Sequence, residues 1–250
     1  MVSRLGNDET GRFLKQDLST YGVDVSGIVL DPEASTGTVI ITVDPQGERT
    51  IFVFALNSAY GKLSLDDVKI IDDIQPKAIF LTGVLIGLEI AENTMFEVVK
   101  KWKGRARLYF DPNLRHPLHA IPSNIRNSMQ KMLQLCDVVL TGESEMNALG
   151  LSPQAGQTFI VKCGKKGSFL MGADGEVRFY IPSTSHVAID ATGAGDTFAS
   201  AYIAAEMKGY PVKEAMEFAN IAAGISVTKF GARSMPTFEE IENYRKKMAN

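Results

Sequence analysis

Apolar and polar positions follow a repeating order over most of the chain, from residue 64 onward. Short apolar runs alternate with longer stretches whose apolar residues recur at helical spacing. The short runs predict strands at 78–81, 107–110, 137–140, 159–162, 168–171 and 177–181. The longer stretches predict helices at 92–103, 123–135 and 143–149, and three more that start near Gly193, at Pro211 and after Thr237. Repeated strand–helix units form a parallel sheet with helices on both faces, and ligands bind beyond the carboxyl ends of its strands.

The first 60 residues show a different order. A helix is predicted between Asp8, which can cap it, and Gly22, which can end it, and its apolar stripe is Phe13, Leu14, Leu18 and Tyr21. Two β-rich runs at 38–43 and 50–54 flank a turn at 44–47 and predict a hairpin. We expect this hairpin, residues 36–57, to form a small separate sheet, while residues 1–35 and 58–250 form an α/β core. Ser64 and Asp67 have the spacing of a capping box and predict another helix start.

Composition and charge narrow the class of protein. The chain has 250 residues, 45% of them apolar and 22% charged, which suits one large soluble domain with a buried core. A net charge of −3 gives no electrostatic reason to expect a nucleic acid or an anionic membrane as partner. The apolar runs are far shorter than the about 20 residues that span a bilayer. The first residues also lack the apolar segment of a signal peptide, so the cytoplasm is the expected compartment.

The cysteines and histidines form no recognisable metal or disulfide motif. Cys136 and Cys163 lie in apolar stretches without a CxxC pair, and we interpret them as small buried apolar residues. His116, His119 and His186 lack the spacing of a zinc site and are expected in loops or at the surface.

The most informative stretch is DATGAGDTF, residues 190–198, between a predicted strand at 187–189 and a predicted helix. Its glycines permit a tight turn and leave backbone N–H groups free at the helix start, where the helix dipole favours anions. Asp196 would repel a bound phosphate unless it accepts a proton from a hydroxyl that attacks the phosphorus. Alternatively, Asp196 is a first-turn acid that complements the helix dipole, and the turn alone leaves both interpretations open. The chain has no GxxxxGK(S/T) and no strand-linked GxGxxG, which argues against a Walker-type P-loop and a dinucleotide dehydrogenase.

The same stretch resembles the second signature, DTxGAGDxF, of the ribokinase (PfkB-type) carbohydrate kinases. The resemblance implies that Asp196 is the catalytic base, and that Asp190 and Thr192 help to bind a monovalent cation. It implies an anion hole for the transferring phosphoryl group that is formed by the backbone of Gly193, Ala194 and Gly195. The implied fold is α/β, a ribokinase-like three-layer α/β/α sandwich with a mainly parallel central sheet and a small β lid.

Two further segments are similar to motifs of the same family, in the same order. Residues 110–115, FDPNLR, are similar to FDPNxR and imply that Asn113 and Arg115 lie near the phosphates; alone they also fit an Asx-Pro turn with a solvated arginine. Residues 141–145, TGESE, stand where the family has NxxE, which implies that Glu145 contacts phosphate and helps to hold Mg²⁺ through water. Gly142 replaces the usual Asn, and Glu145 alone also fits a helix-start cap.

Residues 161–167, VKCGKKG, resemble the family's TxGxxG strand and turn near the nucleotide. The resemblance implies nucleotide contacts from Lys162, Gly164 and Gly167, with Lys162 in the place of a threonine and able to pair with a phosphate. A plain hairpin turn is the alternative for this segment. Further along the chain, the resemblance implies that Asn220 faces the nucleotide and that Ser234 lines the cation site.

Residues 2–11 are similar to the family's VGxDxxG segment, which about 50 residues precede in complete members. We therefore expect a chain that is N-terminally truncated relative to the family and lacks part of the sugar site. It is then either a fragment of a working kinase or a short form that has lost catalysis. A partner chain, as in a homodimer, would cover the sheet edge that such a loss exposes.

The resemblance implies an enzyme, an ATP-dependent carbohydrate kinase that phosphorylates a hydroxyl of a small-molecule sugar or sugar acid. Its cofactors would be ATP and Mg²⁺ and, as in many members, K⁺. The run FDPNLRHPLH is closer to fructokinases and 2-keto-3-deoxygluconate kinases than to nucleoside kinases. A nucleoside kinase and a catalytically silent nucleotide- or sugar-binding regulator are the alternatives.

Overall fold

The computed structural model describes residues 1–43, 49–54, 57–184 and 188–248, and the chain folds as two compact units. Unit one contains Met1–Lys77 and Leu85–Ala106, and unit two contains Ala78–Val84 and Arg107–Asn250. The extent of the predicted lid, residues 36–57, stays a prediction.

Unit one contains two small sheets. The first pairs β1 (Val2–Gly6) with β2 (Gly27–Asp31) in parallel. The second is a hairpin of β3 (Thr38–Val43) and β4 (Arg49–Phe54), which confirms the two predicted strands. The predicted turn at 44–47 lies outside the described residues. The α-helices of this unit are α1 (Glu9–Thr20), α2 (Ile70–Ile74) and α3 (Glu89–Trp102).

The first helix has the predicted cap, and the four residues of its predicted apolar stripe differ in exposure. The Asp8 carboxylate accepts a hydrogen bond from the Gly11 N–H at 2.7 Å and so caps α1. Phe13 and Tyr21, however, are 55% and 73% exposed, and Gly11 is the buried residue of this helix. The other two residues of the predicted apolar stripe, Leu14 and Leu18, are half-buried.

The predicted capping-box hydrogen bond at Ser64 is present, but the prediction that a helix starts there is wrong. The Asp67 carboxylate accepts the backbone N–H of Ser64 at 2.8 Å, as such a box requires. The same carboxylate also accepts two hydrogen bonds from Nη1 of Arg4, both at 2.9 Å. The chain continues through turns, and the next helix, α2, begins only at Ile70.

Unit two is built on a six-stranded sheet. Its strands are β5 (Ala78–Thr82), β6 (Arg107–Asp111), β7 (Val138–Gly142), β8 (Thr158–Lys162), β9 (Gly167–Met171) and β10 (Val177–Pro182). They lie side by side in chain order, with β5 to β8 parallel and β9 and β10 antiparallel to their neighbours. The α-helices are α4 (Ser123–Leu135), α5 (Glu143–Leu149), α6 (Ala194–Met207), α7 (Val212–Ser226) and α8 (Phe238–Met248). The predicted α/β architecture with a mainly parallel sheet is confirmed.

The strand predicted at 187–189 is wrong for the residues that the structure describes. Residues 188 and 189 form no strand, and the Ile189 N–H donates to the Val227 carbonyl at 2.7 Å. Val187 and His186 lie outside the described residues. The segment before α6 is therefore anchored to the end of α7 rather than to a sheet.

One core cluster of unit two lies between the sheet and the helix pair α6–α7. Tyr109, Leu140 and Ile160 from the strands pack with Tyr202 and Met216 from the helices, all fully buried. Alanines without exposed surface allow the two helices to approach closely: Ala199, Ala205, Ala215, Ala219 and Ala222. This packing holds the start of α6 in a fixed place relative to the carboxyl ends of the strands.

Among the described residues, no helix combines the length and the apolar character that a membrane crossing needs. Cys136 is buried and Cys163 is half-buried, and neither forms a disulfide within the part of the chain that the structure describes. His116 and His119 lie in the loop between β6 and α4, as predicted.

Candidate active site

The turn into α6 is shaped so that only glycine fits at its tightest point. Gly193 has a φ of +78°, and a Cβ built on it would lie 2.8 Å from the Ala232 carbonyl oxygen. The Ala194 N–H donates to the Ala191 carbonyl. The N–H groups of Gly195 and Asp196 donate to no carbonyl in the ranges that the structure describes. Two free donors at the positive end of a helix favour a bound anion. The anion hole implied by the resemblance, the backbone of Gly193, Ala194 and Gly195, stays a prediction, and the Ala194 N–H already has a carbonyl partner.

Asp196 lies in the first turn of α6 with an exposed side chain. Its Oδ1 is 3.4 Å from Nδ2 of Asn113, which belongs to the loop after β6. Asn113 has a φ of +40°, a left-handed conformation that asparagine tolerates better than most residues. The structure thus brings the predicted base and the FDPN segment together.

Glu145 joins two loops through backbone hydrogen bonds. Its Oε1 accepts the Leu114 N–H at 2.8 Å, and its Oε2 accepts the Gly142 N–H at 2.9 Å. The second bond is the helix-start cap that the sequence offered as an alternative role. The first bond fixes the loop that carries Asn113. Glu145 therefore also helps to position Asn113 next to Asp196.

Lys162, the last residue of β8, reaches the start of α6. Its Nζ is 2.5 Å from Oδ2 of Asp111, and a Cβ built on Gly195 would lie 3.7 Å from the same Nζ. Burial raises the pKa of Asp111, the nearby Lys162 opposes this shift, and Glu145 adds to it. The ion pair is shielded from water, because the Asp111 side chain is 3% exposed and that of Lys162 is 16% exposed.

A cavity of about 500 Å³ opens beside this ion pair. Its lining includes Gly195, Lys162, Gly164, Gly167 and Asn220. Apolar atoms dominate the remainder of the lining, which includes Phe198, Ala223, Gly224 and Val227. A mostly apolar pocket that ends at a cationic surface suits a ligand with a flat apolar part and an anionic tail.

Two of the residues predicted to contact the nucleotide, Asn220 and Gly167, are also fixed by contacts within the protein. Asn220 is 6% exposed, and its Nδ2 donates to Ser168 Oγ at 2.9 Å. Gly167 has a φ of +119°, and a Cβ built on it would overlap the Ile181 carbonyl oxygen. Both residues therefore fix the wall of the cavity as well as line it.

The three residues predicted for the cation site lie on two adjoining loops. Asp190 accepts the Thr192 N–H and hydroxyl at 2.9 and 2.7 Å through Oδ1, and the Gly231 N–H at 3.0 Å through Oδ2. Ser234 Oγ lies 2.9 Å from the carbonyl oxygens of both Ser226 and Gly231. The carboxylate thus bridges the turn before α6 and the loop after α7.

Arg115 is the candidate that the structure does not bring into this cluster. It is exposed, it does not line the cavity, and it makes no ion pair with the described residues. The sequence interpretation also missed the ion pair between Asp111 and Lys162. A lysine at the end of a buried strand needs a counter-charge, and that requirement was the available signal.

Comparisons with known proteins point to one family. The sequence model described as "pfkB family carbohydrate kinase" matches residues 1–238. A fructokinase from Vibrio alginolyticus is 29% identical over 255 residues, which are 95% of this chain and 82% of the relative.

Two solved structures with bound nucleotide are also similar. An uncharacterized sugar kinase from Pyrococcus horikoshii in complex with ATP gives a TM-score of 0.87 at 28% identity, over 99% of this chain and 82% of that chain. A protein assigned as ribokinase II from Escherichia coli, in complex with ATP and Mg²⁺, gives a TM-score of 0.86 at 29% identity, over 98% and 82% of the two chains.

Proposed function

Because the chain belongs to the pfkB family of carbohydrate kinases, we propose that it transfers the terminal phosphoryl group of ATP to a hydroxyl of a sugar or sugar acid. The observation that carries this proposal is the start of α6. Two free N–H groups and the exposed carboxylate of Asp196 stand there next to a cavity of about 500 Å³. Fructokinases and ribokinases are among the relatives, which supports a sugar as the acceptor.

The chemistry follows from that arrangement. Asp196 takes the proton of the attacking hydroxyl as its oxygen bonds to the phosphorus, and the bond from the phosphorus to the bridging oxygen breaks, so that ADP leaves. The N–H groups of Gly195 and Asp196, at the start of α6 beside Gly193 and Ala194, hold the phosphoryl oxygens as negative charge moves onto them. Asn113, 3.4 Å from Asp196, orients the carboxylate.

Mg²⁺ fits this site through Glu145. Each of its carboxylate oxygens accepts one backbone N–H and keeps a lone pair that a metal-bound water can donate to. When bound, Mg²⁺ neutralises charge on the nucleotide phosphates. The carboxylate of Asp190, with Thr192 and Ser234 close by on the two adjoining loops, supplies oxygen ligands of the kind that K⁺ takes.

The test is ATP turnover by the purified chain with fructose, 2-keto-3-deoxygluconate, ribose and adenosine, each with Mg²⁺ and K⁺. We expect turnover with at least one of the three sugars. The Asp196→Asn variant should lose at least about 100-fold in kcat, because general base catalysis is worth that much. Its affinity for ATP should stay within about twofold, because the backbone donors are retained.

Other outcomes separate the alternatives. Undiminished turnover in Asp196→Asn removes this residue from the role of base. Preferential turnover of adenosine indicates a nucleoside kinase, and ATP binding without turnover on any acceptor indicates a silent binding protein. The homodimer and the cytoplasmic location stay predictions. Light scattering during size-exclusion chromatography would measure the mass of the protein in solution and so test the homodimer.

A further inference from the structure

The position of Lys162 is electrostatically unfavourable without a bound anion. Its ammonium lies beside the first turn of α6, 3.7 Å from the Cβ position of Gly195. That turn carries the partial positive charge of the helix and two free N–H groups. A lysine has a long flexible stem, and it would move into solvent from such a place unless another group held it.

Asp111 is the group that holds it. The residue ends β6, two strands away from β8 in the sheet, and its carboxylate lies 2.5 Å from the lysine Nζ. Its other oxygen accepts the Asn113 N–H at 3.2 Å. Both charges are largely removed from water, yet Lys162 still lines the cavity.

We propose that Asp111 is a positioning residue: its buried carboxylate holds the Lys162 ammonium beside the first turn of α6, where lysine and helix together contact the terminal phosphate of the nucleotide. Asp111 itself acts through the lysine and does not touch the nucleotide. This inference rests on the proposed phosphoryl transfer and adds the phosphate group that the lysine contacts. A buried ion pair often contributes little to stability, so stability alone does not explain why Lys162 lines the cavity.

Nucleotide binding is the first readout, because it does not depend on turnover. Calorimetry would give the affinities of the wild-type chain, Lys162→Met and Asp111→Asn for MgATP, MgADP and AMP. We expect Lys162→Met to weaken MgATP binding about tenfold or more, as for a lost charge-assisted hydrogen bond, and to change AMP binding less than about twofold. Lys162→Arg keeps the charge and should recover part of the MgATP affinity.

Asp111→Asn separates positioning from simple charge. If Asp111 only repelled the phosphates, its neutralisation would tighten MgATP binding, and that result would overturn the proposal. If it positions Lys162, we expect MgATP binding to weaken about threefold or more, because the ammonium is no longer held in place. Equal weakening of MgATP and AMP in Lys162→Met would also contradict the assignment, because the lysine would then not contact the terminal phosphates.

The kinetic readout is a double-mutant cycle. We expect Asp111→Asn to lower kcat about tenfold or more, with a smaller change in the KM for ATP, and to have no further effect on kcat when Lys162 is already Met. A full additional loss in the Lys162→Met background would show that Asp111 acts independently of the lysine. Thermal unfolding of each variant serves as the folding control. If Asp111→Asn is unfolded, Asp111→Glu replaces it, because this variant keeps the buried charge and displaces it by one methylene, which should also lower kcat only while Lys162 is present.

The two proposals fail in different ways. A wild-type chain that turns over no sugar refutes the proposed function, while the affinity series still decides whether Lys162 contacts the terminal phosphate. A wild-type chain that is active, with unchanged MgATP affinity in Lys162→Met, refutes only the positioning role.

Discussion

Gly164 and Gly167 lie in the same turn of the cavity wall and need glycine for different reasons. Gly164 has a φ of +56° and open space around its Cβ position, so Gly164→Ala should cost only the about 1–2 kcal/mol of a left-handed alanine. Gly167 has a φ of +119°, and a Cβ there would overlap the Ile181 carbonyl. We expect Gly167→Ala to cost more than about 3 kcal/mol in urea unfolding. Equal costs would mean that the carbonyl moves aside freely.

The charged form of Asp31 stabilises the folded chain, so the free energy of unfolding should decrease at acid pH. The Arg4 guanidinium, with the N–H groups of Glu33 and Ala34, lowers the pKa of Asp31 to about 2. An unfolded aspartate titrates at about 3.9, so the carboxylate stabilises the fold above that pH and loses the effect as the pH falls toward 2.

The corresponding experiment measures the free energy of unfolding between about pH 4 and pH 2. We expect it to fall more steeply for the wild type than for Asp31→Asn, which cannot titrate. Asp73→Asn, at an exposed helical position, is the matched control and should keep the wild-type slope. Identical slopes for all three proteins would mean that Asp31 contributes no pH dependence.

At the scale of an element, Gly195 makes the first turn of α6 less stable than an alanine at the same position would. Alanine is the better helix former by up to about 1 kcal/mol, and its Cβ would make only an ordinary 3.7 Å contact with Lys162. Gly195→Ala should therefore unfold at the same or a higher temperature. The increase in melting temperature on adding MgATP should shrink, because the methyl group occupies the proposed phosphate surface. An unchanged increase would place the phosphate elsewhere.

The helices and strands of unit two could be predicted closely because local signals mark their ends. The predicted bounds of α4 and α5 match the observed ones, Ser123–Leu135 and Glu143–Leu149. Gly150, in a left-handed conformation, ends the second of these helices. By contrast β1 was missed, because Arg4 interrupts its apolar pattern and is neutralised by Asp31 and Asp67 from distant parts of the chain. The short apolar run of β2 was missed as well.

In the candidate site too, features that depend on neighbouring residues could be predicted, and contacts between distant residues could not. The turn at Gly193 and the place of Asp196 are local properties of DATGAGDTF, so the sequence alone predicts them. The pair of Asp111 and Lys162 joins residues 51 positions apart, and it exists only because β6 and β8 flank the same strand. Such a contact depends on strand order, which no local pattern specifies.

At the scale of the whole molecule, the candidate site belongs to a single unit. Every candidate residue, from Asp111 to Ser234, lies in unit two, whereas Asp31 and Arg4 lie in unit one. Asp31 hydrogen-bonds with Arg4, Glu33 and Ala34, whereas Gly167 lies against Ile181, so the effects of substitutions at Asp31 and Gly167 on stability should add. The pH dependence at Asp31 and the costs of Gly164→Ala and Gly167→Ala can therefore be measured in the same wild-type chain, and the free-energy changes can be compared directly.

The order of strands in the unit-two sheet governs how this chain can fold as it leaves the ribosome. The six strands stand side by side in the order of synthesis, from β5 to β10. Residues 85–106, which separate β5 from β6, belong to unit one, so β5 has no sheet partner until β6 emerges. Each later strand then adds to an edge that already exists, at the about 5–20 residues per second of translation. Since α6 and α7 are synthesised after all six strands, the nascent sheet exposes the apolar face that these helices later bury. This interval is the chain's period of greatest exposure to aggregation and to chaperones.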